Sequence, residues 1–354
     1  MSPADNSARD TEPGVTRRRF IEGSVALAGV GALGALSGCS TASGSGQPAY
    51  GGWLPTQETI HDQEGESGGD AATDTRLGPS TEYLPFWAAT YDGVADYAAQ
   101  QDTEYVPPGN LGSLHSVVDL WVDDVSFELH SDHGFTVTET DLEADRIVTA
   151  FEEREFERDG TYEGYQTLRS TEGPWVVAVD GGRLVEAWRP ALRYVDVYAP
   201  SRTVKRLIDT GAGRRDGLVE VDDGVATLTE RLGTATLLSG STYERVTETD
   251  PERGQFRGEV AEGGVRDIDG TTTELRHVFV FASDADVPAE AVEAWADPDR
   301  PPETNYFEGW TDVSVSTGDR TAVVEGTTDT ADAFEWGDPF ERSTPQRTTT
   351  GADS

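Results

Sequence analysis

The chain has 354 residues, 66 of them acidic and 27 basic, giving a formal net charge of −39. Only 36% are hydrophobic, a balance that ordinarily marks disorder. Eight Trp, eleven Tyr and twelve Phe nevertheless supply the apolar volume of a core, so a wholly disordered chain is excluded, and like charge excludes nucleic acid as a partner.

The first element in chain order is an address. Residues 16–21 read Thr16-Arg17-Arg18-Arg19-Phe20-Ile21, and a mildly apolar Ala/Gly stretch follows from Val25 to Leu36, too short for a stable membrane span. The arginine pair Arg17-Arg18 with Phe20 two places on resembles the twin-arginine export signal, although Glu22 stands where lysine is common and Arg19 makes a run of three. Leu36-Ser37-Gly38-Cys39 resembles a lipobox, in which the cysteine receives the lipid. Cys39 is the sole cysteine, which excludes an intramolecular disulfide and any multi-cysteine metal site. Together these resemblances imply a twin-arginine signal over residues 1–38, the twin-arginine translocase as a partner during export, and lipid attachment at Cys39. The expected location is the outer face of the cell membrane. Residues 39–80 read as a polar flexible tether.

Lys205 is the one lysine; every other basic residue is arginine. An evenly spread anionic surface with so little lysine resembles the proteins of halophilic archaea, in which molar salt screens self-repulsion over about 3 Å. The alternative is an acidic protein that binds cations or basic partners. The chain as a whole resembles uncharacterised haloarchaeal lipoproteins, a resemblance that implies no chemistry.

Beyond the tether, spacing predicts a short helix within Pro85–Gln101 and a strand over Leu114–His130, with Val125, Phe127 and Leu129 on one face. Thr140-Asp141-Leu142-Glu143 has the form of a capping box ahead of a helix carrying Ala144, Ile147, Val148 and Phe151. Strands follow at Thr161–Arg169 and Trp175–Trp188, the second turning at Asp180-Gly181-Gly182. A helix through Val204, Leu207 and Ile208 starts at Ser201 and ends at Gly211 or Gly213.

In the second half a helix through Val225, Leu228 and Leu232 is capped by Asp222 or Asp223 and stopped at Gly233. Strands are expected at Thr234–Tyr243, Gln255–Ala261 and Thr273–Ala282, and Pro288 opens a helix with Val292 and Trp295. Trp310–Thr317 and Arg320–Gly326 form a hairpin across Gly318-Asp319. The order predicts an α+β fold of mostly antiparallel sheets with helices on one face. It divides into units 81–215 and 216–340, read as two duplicated βαββαβ-like units, and a disordered tail 341–354.

No HExxH, GxSxG, GxxxxGK[ST] or SxxK motif occurs. His130, Asp132 and His133 form the densest set of metal-ligand residue types, but no further ligand is evident, and a solvated turn is the expected reading. Asp267-Ile268-Asp269-Gly270 fails as a calcium loop, because Arg276 stands where the bidentate Glu belongs. A hairpin turn is expected there instead. Acid pairs such as Asp123-Asp124 and Glu152-Glu153 are expected by composition alone. Tyr162, Tyr165, Trp175, Trp188, Tyr194 and Tyr198 are expected in the core, or else along a ligand groove.

No cofactor is expected. The functional expectation is a non-catalytic, membrane-anchored binding or envelope-associated module. The alternatives are a solute-binding lipoprotein of a transporter and an extracellular hydrolase assembled only by folding.

Overall fold

The computed structural model describes residues 48–56, 84–91, 93, 94, 96, 118, 124–188, 200–242, 245–251, 254–297, 307 and 309–335. Arg17, Arg18, Phe20, the lipobox residues Leu36, Ser37 and Gly38, Cys39, most of the tether, the tail, Tyr194 and Tyr198 lie outside them.

Among the described residues twelve strands form one sheet in the order β11-β12-β10-β9-β8-β1-β2-β3-β7-β6-β5-β4. They are β1 (Leu84–Ala89), β2 (Val125–Ser131), β3 (Phe135–Thr140), β4 (Phe156–Tyr162), β5 (Tyr165–Ser170), β6 (Trp175–Asp180), β7 (Arg183–Trp188), β8 (Leu237–Thr242), β9 (Glu259–Asp269), β10 (Thr272–Phe281), β11 (Thr311–Gly318) and β12 (Thr321–Asp329). Every pairing is antiparallel. The helices are α1 (Ala144–Glu152), α2 (Pro200–Gly211), α3 (Leu218–Val221), α4 (Asp223–Leu232), α5 (Ala289–Trp295) and α6 (Thr330–Glu335).

The mixed helix-and-strand class and the antiparallel pairing are as expected, but helices cover both faces of the sheet. Successive strand residues point to opposite sides. On one side Val176, Ala178, Val185, Ala187, Leu238, Val278 and Val280 pack with Val204 and Leu207 of α2 and Leu228 and Leu232 of α4. On the other, Val177, Val179 and Leu184 pack under Ile147, Val148 and Phe151 of α1. Farther along that second face, Phe279, Phe281 and Val324 meet Val292 and Trp295 of α5. The run Val176-Val177-Ala178-Val179 is buried throughout because its strand is covered twice.

Several local expectations change for identifiable reasons. Leu84–Ala89 is a central strand although it contains Pro85, whose carbonyl accepts from Ser131 Oγ at 2.6 Å. The helical residues described here, Gly93, Val94 and Asp96, come after it. A register shift between Val125 and Phe127 puts Val125 on the α1 side while Phe127 and Leu129 face α2. Thr140 does not cap α1: its hydroxyl donates to Asp124 O at 2.6 Å, and the N-cap residue is Glu143. Asp222 does cap α4, its Oδ1 accepting from Gly224 N at 2.7 Å and Val225 N at 2.9 Å.

The turns follow their chemistry. Gly182, with φ 101°, closes β6–β7, and Gly270, with φ 60°, closes β9–β10. Asp319 and Arg320, with φ 48° and 62°, make the two left-handed positions of the β11–β12 turn.

Candidate functional site

Between the patch covered by α1 and the patch covered by α5, the same sheet face carries a band of polar residues. Its axis is a row of cross-strand partners running Glu186, Thr136, His130, Trp87, Ser239, Gly264, His277. α1 packs on β4, β5 and β6, and α5 on β11; between them Ala89 of β1, Leu237 of β8 and Ile268 of β9 are buried with Tyr91, Val94 and Val118, and among the described residues the remaining length of those strands forms the floor of a shallow trough. Trp87, Ser239, Ser241 and Gly264 on that floor are part-exposed.

His130 stands at the centre of one flank. Its ring lies 4.2 Å from that of Trp87 and 5.4 Å from that of Trp188, and its Nδ1 is 2.9 Å from Thr136 Oγ1. Burial pushes its pKa down to about 3, so the imidazole is neutral. Two carboxyls share this flank. Glu128, which accepts from Tyr91 Oη at 3.2 Å, is raised by burial to about 7, the tyrosine partly opposing the rise. Glu186 is raised to about 8 by burial and then by the charge of Glu128. Trp175 tempers the shift without a well-formed hydrogen bond, and both Trp175 Nε1 and Glu186 Oε1 are buried with no partner. Thr138 Oγ1, on the strand between Glu128 and Glu186, is also buried without one.

The opposite flank holds Glu259, Glu262 and His277. Glu259 Oε2 accepts from Phe256 N at 2.9 Å, and burial together with the charge of Glu262 pushes its pKa well up. His277 Nε2 sits 3.6 Å from Glu262 Oε2, beyond hydrogen-bond reach, and both His277 Nε2 and Glu262 Oε1 are buried without hydrogen-bond partners. The His277 ring packs 4.5 Å from Phe279 and 5.7 Å from Trp295. Buried polar atoms of this kind are rare in folded proteins, and here they gather on the trough side of the sheet. Thr210 Oγ1, on α2, is a counterexample on the other side.

The residues singled out from sequence fall differently. His130 belongs to β2 and is buried, so it is not part of a solvated turn; Asp132 in the following turn is exposed and His133 is buried. Among the described residues no group of three His, Cys, Asp or Glu side chains is placed to hold a metal ion. Trp175 and Trp188 face the α1 side, whereas Tyr165 lies in the core under α2. Tyr162 packs against that same core, its hydroxyl donating to Asp209 Oδ2 at 2.8 Å. These four aromatics therefore line no common groove. Glu152 pairs with Arg158 at 2.6 Å on the surface.

Glu128, Glu186, Glu259 and Glu262 were not singled out from sequence. Each lies among apolar residues in a strand, as in Phe127-Glu128-Leu129, and that alternation ordinarily means one wet face. Burial of a Glu of this kind becomes readable only once both faces are known to be covered.

Chemically, the first flank presents carboxyls raised by burial at Glu128 and Glu186, the neutral imidazole of His130, and threonine hydroxyls and indole edges. No hydrogen bond joins Ser239 to His277, so no activated nucleophile is assembled there among the described residues. No helix among the described residues is long and apolar enough to cross a membrane.

No family model matches the chain, and no curated protein matches it. Among solved structures it is similar in outline to "Structure of crystal form III of TP0453", with TM-score 0.41 and 9% identity over 72% of this chain and 92% of that one. Crystal form IV of TP0453 gives TM-score 0.40 and 7% identity over 70% and 90% of the two chains.

Proposed function

We propose that the protein is a lipid-anchored module on the outer face of a halophile's cell membrane, exported by the twin-arginine translocase, which binds a ligand at the sheet trough without catalysing a reaction. The anchoring part of this reading is supported by the order of Arg17-Arg18, apolar stretch, lipobox and Cys39 in the sequence. The binding part is supported by one observation above the rest. Buried polar atoms without partners, Glu186 Oε1 and Thr138 Oγ1 on one side and Glu262 Oε1 and His277 Nε2 on the other, belong to strands that flank the part-exposed residues Trp87, Ser239 and Ser241 on the same sheet face. Leaving such atoms unmatched costs about 1–3 kcal/mol each, a cost that a ligand would offset where it reached them.

The strand order supports reading the molecule as two matching halves. β1-β2-β3 and β8-β9-β10 are both meanders. In each half a helix then leads to a run of strands, β4 to β7 or β11 to β12, whose last member returns beside the third strand of the meander. The first strands of the two meanders pair antiparallel, as a local two-fold axis would require. The repeating unit in this reading is βββα followed by returning strands, in place of βαββαβ.

Cell fractionation tests the address. Cys39→Ser is expected to release the protein into the medium, and Arg17→Lys with Arg18→Lys to retain it inside. No redistribution in either variant removes the anchoring reading and leaves the trough to be tested separately.

A further inference from the structure

Residues 48–56, inside the stretch expected to be tether, belong to the fold. Tyr50, Trp53 and Leu54 are buried in the core shared with α2, α3 and α4. Tyr50 Oη donates to Thr229 O of α4 at 3.2 Å, and Leu54 O accepts from Leu218 N of α3 at 2.7 Å. Pro55 bridges to Gly217, and the Trp53 ring lies so close to Gly211, at the end of α2, that a Cβ there would collide with it. Pro48 comes nine residues after Cys39 in the sequence. A chain of that length spans at most about 30 Å, so a lipid on Cys39 holds the body on a short lead that ends beside α2.

The surface at that point differs from the rest of the molecule in charge. Residues 200–215 hold five basic side chains, Arg202, Lys205, Arg206, Arg214 and Arg215, against one acid, Asp209, in a chain of net charge −39. Along α2, Val204, Leu207 and Ile208 are buried, so Arg202, Lys205 and Arg206 share the outward face at helical spacing. Arg202 and Lys205 are exposed and Arg206 is part-exposed. Asp209 on the same face is already engaged, accepting from Tyr162 Oη at 2.8 Å and from Arg214 Nε at 2.9 Å. Exposed ion pairs are worth only about 0–1 kcal/mol, and each leaves further guanidinium donors for other acceptors. Acids return at Asp216 and Glu220, and Glu163 lies 3.6 Å from Arg214, so the cationic surface is confined to the outward face of α2.

We propose that the outward face of α2 rests on the anionic headgroups of the membrane to which Cys39 ties the chain, with Arg202, Lys205 and Arg206 on phosphate oxygens. This rests on the anchoring reading and adds which face of the body meets the lipid. The anchor sets a high local concentration, at which contacts too weak to hold the protein alone are enough to orient it. Molar salt shortens the screening length to about 3 Å, so acids elsewhere on the body do not repel the surface, whereas a guanidinium touching a phosphate oxygen keeps its charge-assisted hydrogen bonds. α2 covers the sheet face opposite the trough, and the placement therefore turns the trough away from the membrane.

The experiment places the lipidated protein, in molar KCl, on vesicles of phosphatidylglycerol or of phosphatidylcholine whose headgroups carry a nitroxide quencher. A fluorophore is attached through Ala212→Cys, exposed just past α2, or through Arg146→Cys, exposed on α1 of the opposite face; the lipidated Cys39 takes no thiol label. The expected result on phosphatidylglycerol is quenching at least about threefold stronger at position 212 than at position 146. The difference is expected to vanish on phosphatidylcholine, and in the combined variant Arg202→Gln, Lys205→Gln, Arg206→Gln. Equal quenching at both positions, stronger quenching at 146, or a difference that persists on phosphatidylcholine or in the folded triple variant would each overturn the proposal. The lipid comparison needs no substitution in α2, so the test stands even where the triple variant fails to fold. Co-sedimentation with the vesicles reads the anchor separately. A protein left in the supernatant overturns the anchoring reading and this one with it, whereas co-sedimentation without the difference in quenching overturns this one alone.

Discussion

Glu128 and Glu186 occupy the same sheet face on strands separated by β3, and the charge of the first helps raise the second to about 8. Folding takes both carboxyls from about 4.5 to about 7 and about 8. The folded state therefore holds protons that the unfolded state has released. Their stabilising contribution is complete below pH 4.5 and is lost as pH rises through 7 and 8. His130 acts in the opposite sense: its folded pKa of about 3 lies below 6.5, so stability is lost as pH falls from 6.5 toward 3. Above pH 6.5 the two carboxyls dominate among these three groups.

The expected outcome is that stability in molar KCl falls by on the order of 3 kcal/mol between about pH 6 and pH 9. Glu128→Gln with Glu186→Gln should flatten the slope. Urea unfolding at a series of pH values checks it, and an equal slope in the double variant would contradict the assignment.

Gly240 and Gly264 make an informative contrast. Gly264 has room for a methyl group, but a Cβ at Gly240 would collide with the ring of Phe86, which is 1% exposed and cannot move aside. Gly240→Ala is expected to cost about 2 kcal/mol by overpacking, read as a lower urea midpoint with unchanged slope.

Asp222 holds two of the free amide groups at the start of α4. Asp222→Ala should cost about 1 kcal/mol, and Asp222→Ser or Asp222→Asn should recover most of it. Thermal unfolding of the three variants at one salt concentration decides the point.

Among the described residues ion pairs are few beside a net charge of −39, and several of them, such as Arg169 with Asp159 at 2.8 Å, are exposed. Screening by salt, more than pairing, must offset the repulsion among the acids. The melting temperature is expected to fall by at least about 10 °C between molar and millimolar KCl. An unchanged value would argue against the halophile reading.

The elements most legible in the sequence were those whose signal is local. The helix carrying Ile147, Val148 and Phe151, the turn at Gly182 and the Asp222 cap each depend on a handful of neighbouring residues. β1 was misread because Pro85 and a following helical pattern outweighed four buried residues, and a proline is tolerated there only through the particular register of β2. β4 was missed because Phe156-Glu-Arg-Asp-Gly-Thr-Tyr162 has a single buried residue and forms only as the outer partner of β5. The site was the least legible part. Glu186, His130 and His277 lie far apart in the chain and are aligned in one row only through long-range pairing across seven strands.

The joint between β1 and β8 has a consequence for any attempt to divide the molecule. Those strands exchange six consecutive residue pairs, from Leu84 opposite Thr242 to Ala89 opposite Leu237. A fragment ending before β8 would present the backbone of β1 as a bare, apolar border, and a fragment beginning at β8 would present the complementary one. Separately expressed halves should therefore be sticky on their own and recombine when mixed, each being the natural template for the other's unfinished rim.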